Sequence, residues 1–237
     1  GAHADVAARV AKAESKPRVY VELGRKGADE VDNSYGNTMW GALSDSAGGE
    51  NIAREQVAKW GPLSPEYVLA QNPEFVFFAG SGWLSRDKAV IMGPGIGAEK
   101  VHARMEPYLG RPGWDNLSAV STGEVHALYH GGARTLYDFA FFQYIAKTLH
   151  PELFEDVDPQ ANLTAFFEDY MPSSIDGSYL TQLPGRQRAG RLRPPLPPIA
   201  PSLPDGSRHL SGQGCYWSFA HWSISSPAPP CWAWGMW

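Results

Sequence analysis

The chain has 237 residues, is 43% hydrophobic and carries a formal net charge of −5. That is enough apolar material for a core, and it leaves no basic surface for neutralising phosphates, so nucleic acid is not expected as a partner. No apolar run reaches the roughly 18 residues that a bilayer span requires, and the only cysteines, Cys215 and Cys231, both lie near the C-terminus.

The opening stretch, "GAHADVAARVAKAESKP" (1–17), reads as an amphipathic helix already under way, with Val6, Val10 and Ala13 at helical spacing and no capping residue ahead of them. The expectation is that the true N-terminus lies upstream. Pro17 breaks the pattern, and "RVYVEL" (18–23) follows, a β-branched and aromatic run that predicts a strand. The polar loop "GRKGADEVDNSYGN" comes next, the kind of strand-end segment on which binding groups tend to sit. "TMWGALSDSAGG" predicts a helix closed by Gly48 and Gly49, where left-handed backbone costs least.

In "LSPEYVLAQNPEFVFFAG" (63–80), Ser64 is an N-cap, Pro65 fits the first helical position, and Glu66 suits the positive end of the helix dipole. This helix should run to about Gln71. Asn72 and Pro73 end it, and "EFVFFAG", apolar on both faces, predicts a strand covered by helices on either side. The pattern then repeats: a helix from about Ala98 to Leu109, a helical turn in "GWDNLSAV", a turn at "STGE" and the strand "VHALYH". Two apolar helices close the regular part, "TLYDFAFFQYIAKTLHP" and "ANLTAFFEDYM", the second entered through Asp158 and Pro159. Alternating strands and helices predict an α/β fold with a mostly parallel sheet, and in such sheets ligands gather at the carboxyl ends of the strands.

From about Gly185 the composition changes to a Pro/Arg/Trp-rich tail, 185–237, expected to be disordered or not native. The domain division is thus 1–16, 17–184 and 185–237.

No HExxH, GxSxG, P-loop, CxxC or EF-hand pattern occurs, so no enzyme activity, cofactor or metal site is expected. His126 and His130, on one strand face, are the only pair spaced to serve a metal. The rival motif is "GPGIGA" (Gly93 to Ala98), which matches the glycine pattern of a dinucleotide site and opens a helix. It supports the alternative of a nucleotide-binding enzyme and requires a strand before Gly93, for which the four residues "AVIM" are the candidate; the favoured reading is a flexible loop. Aromatic and polar residues cluster at the predicted strand ends: Tyr35 and Trp40, then Ser81 and Trp83, then His130, Arg134 and Tyr137. This set would suit a flat or aromatic anionic ligand, with Arg134 as charge partner and the rings as walls. Trp40 and Tyr137 could equally be core residues on their helices.

Taken together, "PRVYVEL", "AGGENIA" (47–53), "LSPEYVLAQNPEFVFF" (63–78), "RPGWDNLSAVSTGEVHAL" (111–128) and "YIAKTLHPELF" (144–154) resemble the C-terminal lobe of cobalamin-type, or class III, periplasmic binding proteins. Those proteins are the substrate-binding components of ABC importers for iron siderophores, haem and vitamin B12. The resemblance covers about residues 5 to 183. It implies a Rossmann-like three-layer lobe, with residues 1–16 as the end of a long interlobe helix and the N-terminal lobe absent. It also implies a non-catalytic monomer, periplasmic or lipid-anchored outside the cell, that binds a metal chelate such as a ferric siderophore, haem or cobalamin in the interlobe cleft. The "S-x-E-x-V-L-A" segment of the family carries the acidic residue that meets permease arginines, which makes Glu66 the expected docking residue. Tyr35, Trp40, Ser81, Trp83, His130, Arg134 and Tyr137 would face the cleft.

Overall fold

The computed structural model describes residues 1–185; apart from Gly185, the tail and the expectations attached to it fall outside them. Seven helices, α1 (Ala2–Val10), α2 (Met39–Ser46), α3 (Pro65–Gln71), α4 (Ala98–Met105), α5 (Ser118–Thr122), α6 (Asp138–Leu149) and α7 (Pro159–Tyr170), surround one sheet. Its strands are β1 (Arg18–Leu23), β2 (Asn33–Tyr35), β3 (Glu50–Asn51), β4 (Trp60–Pro62), β5 (Phe75–Gly80), β6 (Val125–Tyr129) and β7 (Leu180–Gln182). The order is β4-β2-β1-β5-β6-β7, with β3 pairing with β1. The long strands β1, β5 and β6 are mutually parallel, in the register Val21↔Phe77 and Phe77↔His126. The short flanking strands β2, β4 and β7 run antiparallel to their neighbours.

Strand periodicity sorts the side chains into two cores. On one face Val19, Val21, Phe77, Ala79 and Leu128 pack with Val6 of α1, Trp40 of α2, the apolar side of α6, and Leu163 and Phe167 of α7. On the other, Tyr20, Val76, Phe78, Val125 and Ala127 pack with Val68 of α3, Val101 and Met105 of α4, Ala119 of α5 and the ring of Trp114. The result is three layers, helices on both faces of the sheet, as the continuous apolar runs of β1 and β5 require.

Local chemistry explains the boundaries. The Ser64 hydroxyl accepts the Tyr67 N–H at 3.1 Å, and Asn72 turns left-handed at φ 44° to close α3. Asp158 caps α7 by accepting the Ala161 N–H at 2.9 Å. Gly48, at φ 88°, ends α2.

Two helices are shorter than expected. Instead of running through residue 16, α1 stops at Val10, and it is held by Arg9, which donates to the Leu153 carbonyl and to Asp156. The helix begun at Ala98 leaves the α form after Met105 and continues as a 3-10 turn, Glu106–Gly110, because Pro107 has no N–H for the ladder.

Candidate functional site

At the carboxyl ends of the parallel strands the chain builds a concave site of about 220 Å³, lined by Leu23, Asn33, Tyr35, Met39, Trp60, His130 and Arg134. Three of the expected ligand residues, Tyr35, His130 and Arg134, therefore meet there. His130 follows β6 directly, and Arg134 ends the 3-10 turn that starts at His130. Tyr35 is positioned by Asn51 of β3, whose Nδ2 donates to the carbonyls of Tyr35 at 2.8 Å and Gly36 at 3.2 Å while its Oδ1 accepts from the Ala53 N–H. Met39 lines the site from the first residue of α2 with φ 45°. A side chain rarely adopts that left-handed backbone, and holding it there costs about 1–3 kcal/mol.

The His130 ring is the centre of this constellation. Its Nδ1 lies 3.3 Å from the Tyr35 hydroxyl and 3.4 Å from Trp40 Nε1, and the Trp83 ring stands 6.3 Å away, centroid to centroid. Burial, helped by the charges of Arg134 and Arg25, pushes the imidazole below its ordinary pKa, so the ring is neutral at pH 7. Arg134 is exposed and has no hydrogen-bond or ion-pair partner among the described residues.

The other expected residues are placed differently. Trp40 is wholly buried against Phe141, so it supports His130 from beneath and offers no surface to a ligand. A helix turns about 100° per residue, so neighbouring positions face different ways; Met39 reaches the pocket and Trp40 the core. Tyr137 is half-buried and packs on Phe141, Phe166 and Phe167 at the margin of the core, and it does not line the cavity. Ser81 is half-buried, and its backbone bonds Val90 and Met92; it does not line the cavity. Asn33, Met39 and Trp60 belong to the site without having been expected there. The available signal was Trp60, a large ring in a polar stretch, 60% exposed in the fold.

His126 does not join His130. It is buried, stacked on Phe77 and held by the Tyr144 hydroxyl at Nδ1 (2.9 Å) and Glu124 at Nε2 (3.0 Å), so neither nitrogen is open to a metal. Among the described residues, no group of three or more His, Cys, Asp or Glu residues could hold an ion.

The glycine loop lacks the strand that the dinucleotide alternative requires. No strand forms before Gly93: Ile91 makes only a single bridge to Ser81. The Gly93 N–H donates to the Ser178 carbonyl and the Ile96 N–H to the Gly93 carbonyl, so these amides are consumed within the fold instead of facing a pyrophosphate.

Glu66 is exposed on the first turn of α3, with no ion-pair partner among the described residues. It stands at a second cavity, about 350 Å³, walled by Tyr20, Ala28, Val31, Val68 and Trp114, with Asp29 also at the lining. The two cavities share no lining residue.

Beneath this second cavity lies a network that the sequence reading did not find. Glu22 of β1, fully buried, accepts two bonds from Arg111 (2.6 and 2.8 Å), one from the Tyr20 hydroxyl and one from the Asp32 N–H. Arg111 also donates to the carbonyls of Ala28, Gly27 and Glu30 and lies over the Tyr108 and Trp114 rings. Burial works against its charge, but Glu22 more than offsets this and carries the guanidinium above its ordinary pKa. The loop from Gly27 to Asp32 is thereby fixed on the sheet.

Among solved structures, the TroA-like periplasmic binding protein FepB from Veillonella parvula matches with a TM-score of 0.75 at 35% identity, over 77% of this chain and 53% of that one. This chain has the fold of one lobe of a periplasmic binding protein. The fold is shared more distantly by a periplasmic solute binding protein from the same organism (TM-score 0.55, 16% identity, 74% of this chain and 49% of that). It is also shared by the molybdate-bound MolA of Haemophilus influenzae (TM-score 0.53, 18% identity, 74% and 49%). The lobe spans about half the length of each of these proteins. No family model matches the chain, and the search of curated proteins gave no match.

Proposed function

We propose that the lobe is the C-terminal half of the substrate-binding component of an ABC importer for iron-siderophore or related metal-chelate complexes. The observation that carries this reading is the group of Tyr35, His130 and Arg134 around one cavity at the strand ends, in a fold whose relative of 35% identity is FepB. One lobe supplies one wall, and a second lobe would complete the cleft. Binding would rest on a largely preformed surface, with Trp83 beside His130 as a further aromatic contact and Ser81 at the margin. No chemistry on the ligand is involved, and the protein works as a monomer, periplasmic or lipid-anchored outside the cell.

Glu66 is the docking residue in this reading. Its exposure at a helix N-terminus, unpaired among the described residues, suits a charge-assisted contact with a permease arginine.

The test is a tryptophan-fluorescence titration of the two-lobed protein with ferric siderophores, haem, cobalamin and NAD. Saturable quenching by one of the chelates is expected, reported by Trp60 in the cavity wall and by Trp83 beside His130. Response to NAD alone would overturn the reading in favour of a nucleotide site at Gly93–Ala98.

A further inference from the structure

The bonding of His130 fixes which of its nitrogens carries the proton, and with it the kind of group the cavity can hold. Trp40 Nε1 can only donate, and its residue is wholly buried. Its one hydrogen-bond partner among the described residues is His130 Nδ1, at 3.4 Å. A protonated Nδ1 would set two N–H groups against each other and strand the indole donor in the core. Nδ1 is therefore the acceptor, and in a neutral ring the proton sits on Nε2. Nε2 has no protein partner among the described residues and is not among the buried unpaired atoms there, so it is accessible, on a residue that lines the cavity.

The open groups around it are of the same kind. Arg134 can only donate, and its guanidinium is unpaired among the described residues. The Tyr35 hydroxyl shares Nδ1 with the indole, and since one lone pair accepts one good bond, its proton is available elsewhere. Beside the amide of Asn33, which can donate as well as accept, the cavity thus presents three donors, at a volume of about 220 Å³ that suits a single oxyanion group.

Resting on the ligand-binding reading above, we infer that His130 is a fixed Nε2–H donor that grips an anionic oxygen of the ligand together with Arg134, and that it does not ligate the ligand's metal. Ligating through Nε2 would require the proton to move to Nδ1, where Trp40 opposes it. Trp40 is a positioning residue for this tautomer. The oxygen could belong to a chelate's own carboxylate or catecholate, or to a free oxyanion.

Two measurements on the full 237-residue chain decide the matter. Long-range nitrogen–proton NMR correlation with labelled histidine reads the tautomer without any ligand. The expected pattern for His130 is a protonated Nε2 and a bare Nδ1, lost as a mixture of tautomers in Trp40→Phe; a protonated Nδ1 in the unaltered protein overturns the inference. Titration with ferric citrate, sodium phosphate and haemin then tests the consequence. Ferric citrate should bind, and His130→Leu should weaken it roughly tenfold while His130→Gln, which keeps an N–H, loses far less. Binding of phosphate alone would assign the donors to a free oxyanion and retain the inference. A haemin spectrum with the signature of imidazole ligation, abolished in His130→Leu, overturns it. If the Nε2–H tautomer is found and no probe binds, what falls is the reading of the cavity as a ligand site, and the assignment of an oxygen ligand with it.

Discussion

Arg111 and Arg134 sit near the same end of the sheet and have opposite lives. Arg111 is 8% exposed, and its donors go to Glu22 and to three loop carbonyls. Arg134 is exposed, lines a cavity beside a neutral histidine and has no partner among the described residues. A saturated, buried guanidinium can do nothing further than hold loop to sheet. An unsaturated one at a strand end retains its capacity for a ligand. Residue type alone does not separate structural from functional arginine; the count of spent donors does.

The sharpest way to break the contrast is Arg111→Met. It leaves Glu22 buried without its charge partner and should destabilise the lobe by about 3–5 kcal/mol, read as a shift in urea midpoint. Adding Glu22→Gln should recover much of that loss, and a single variant as stable as the parent would show that the network is dispensable. Arg134→Ala should leave the urea midpoint within about 0.5 kcal/mol of the parent while weakening an anionic chelate roughly tenfold; unchanged affinity would remove Arg134 from the site.

A smaller effect concerns two histidines, buried His126 and half-buried His130. Burial holds both His126 and His130 below the ordinary imidazole value. As the pH falls the unfolded chain takes up protons first, so their contribution is complete above about pH 6.5 and drains away towards the lowered folded values. Denaturant midpoints at neutral and mildly acidic pH should therefore differ less in His126→Gln than in the parent. An identical pH dependence would place the acid sensitivity elsewhere. Smallest of all for the lobe itself, Glu66→Ala should change stability by no more than about 0.5 kcal/mol and leave ligand affinity untouched, yet reduce uptake in cells that carry the permease. Normal uptake would reject the docking role.

Much of this architecture was legible before any coordinates. The apolar run of β1 and the Ser-Pro-Glu start of α3 are local signals, and each element formed where its residues direct it. The flanking strands were not legible, because "NSY" and "WGP" are three residues long and carry no period. They form through pairing with neighbours, as Tyr35 does with Trp60. His130 and Arg134 follow the carboxyl end of β6, and Tyr35 joins them from β2, which pairs antiparallel beside the end of β1. Trp40 went to the core, and Tyr137, which precedes α6, to its margin, because the facing of such residues depends on what packs around them. The Glu22–Arg111 pair spans 89 positions, and no local rule reaches that far. Its one trace in the sequence was the lone carboxylate inside "RVYVEL", since a charge on a strand buried on both faces must have a partner.

Both outer strands of the described sheet, Trp60–Pro62 and Leu180–Gln182, are only three residues long, and the first ends in a proline that has no N–H to offer. A growing fibril needs a long, flat row of unpaired amides to copy, and these margins supply almost none. The described sheet therefore offers little at its edges for strand addition, from another copy of the lobe or from any other chain.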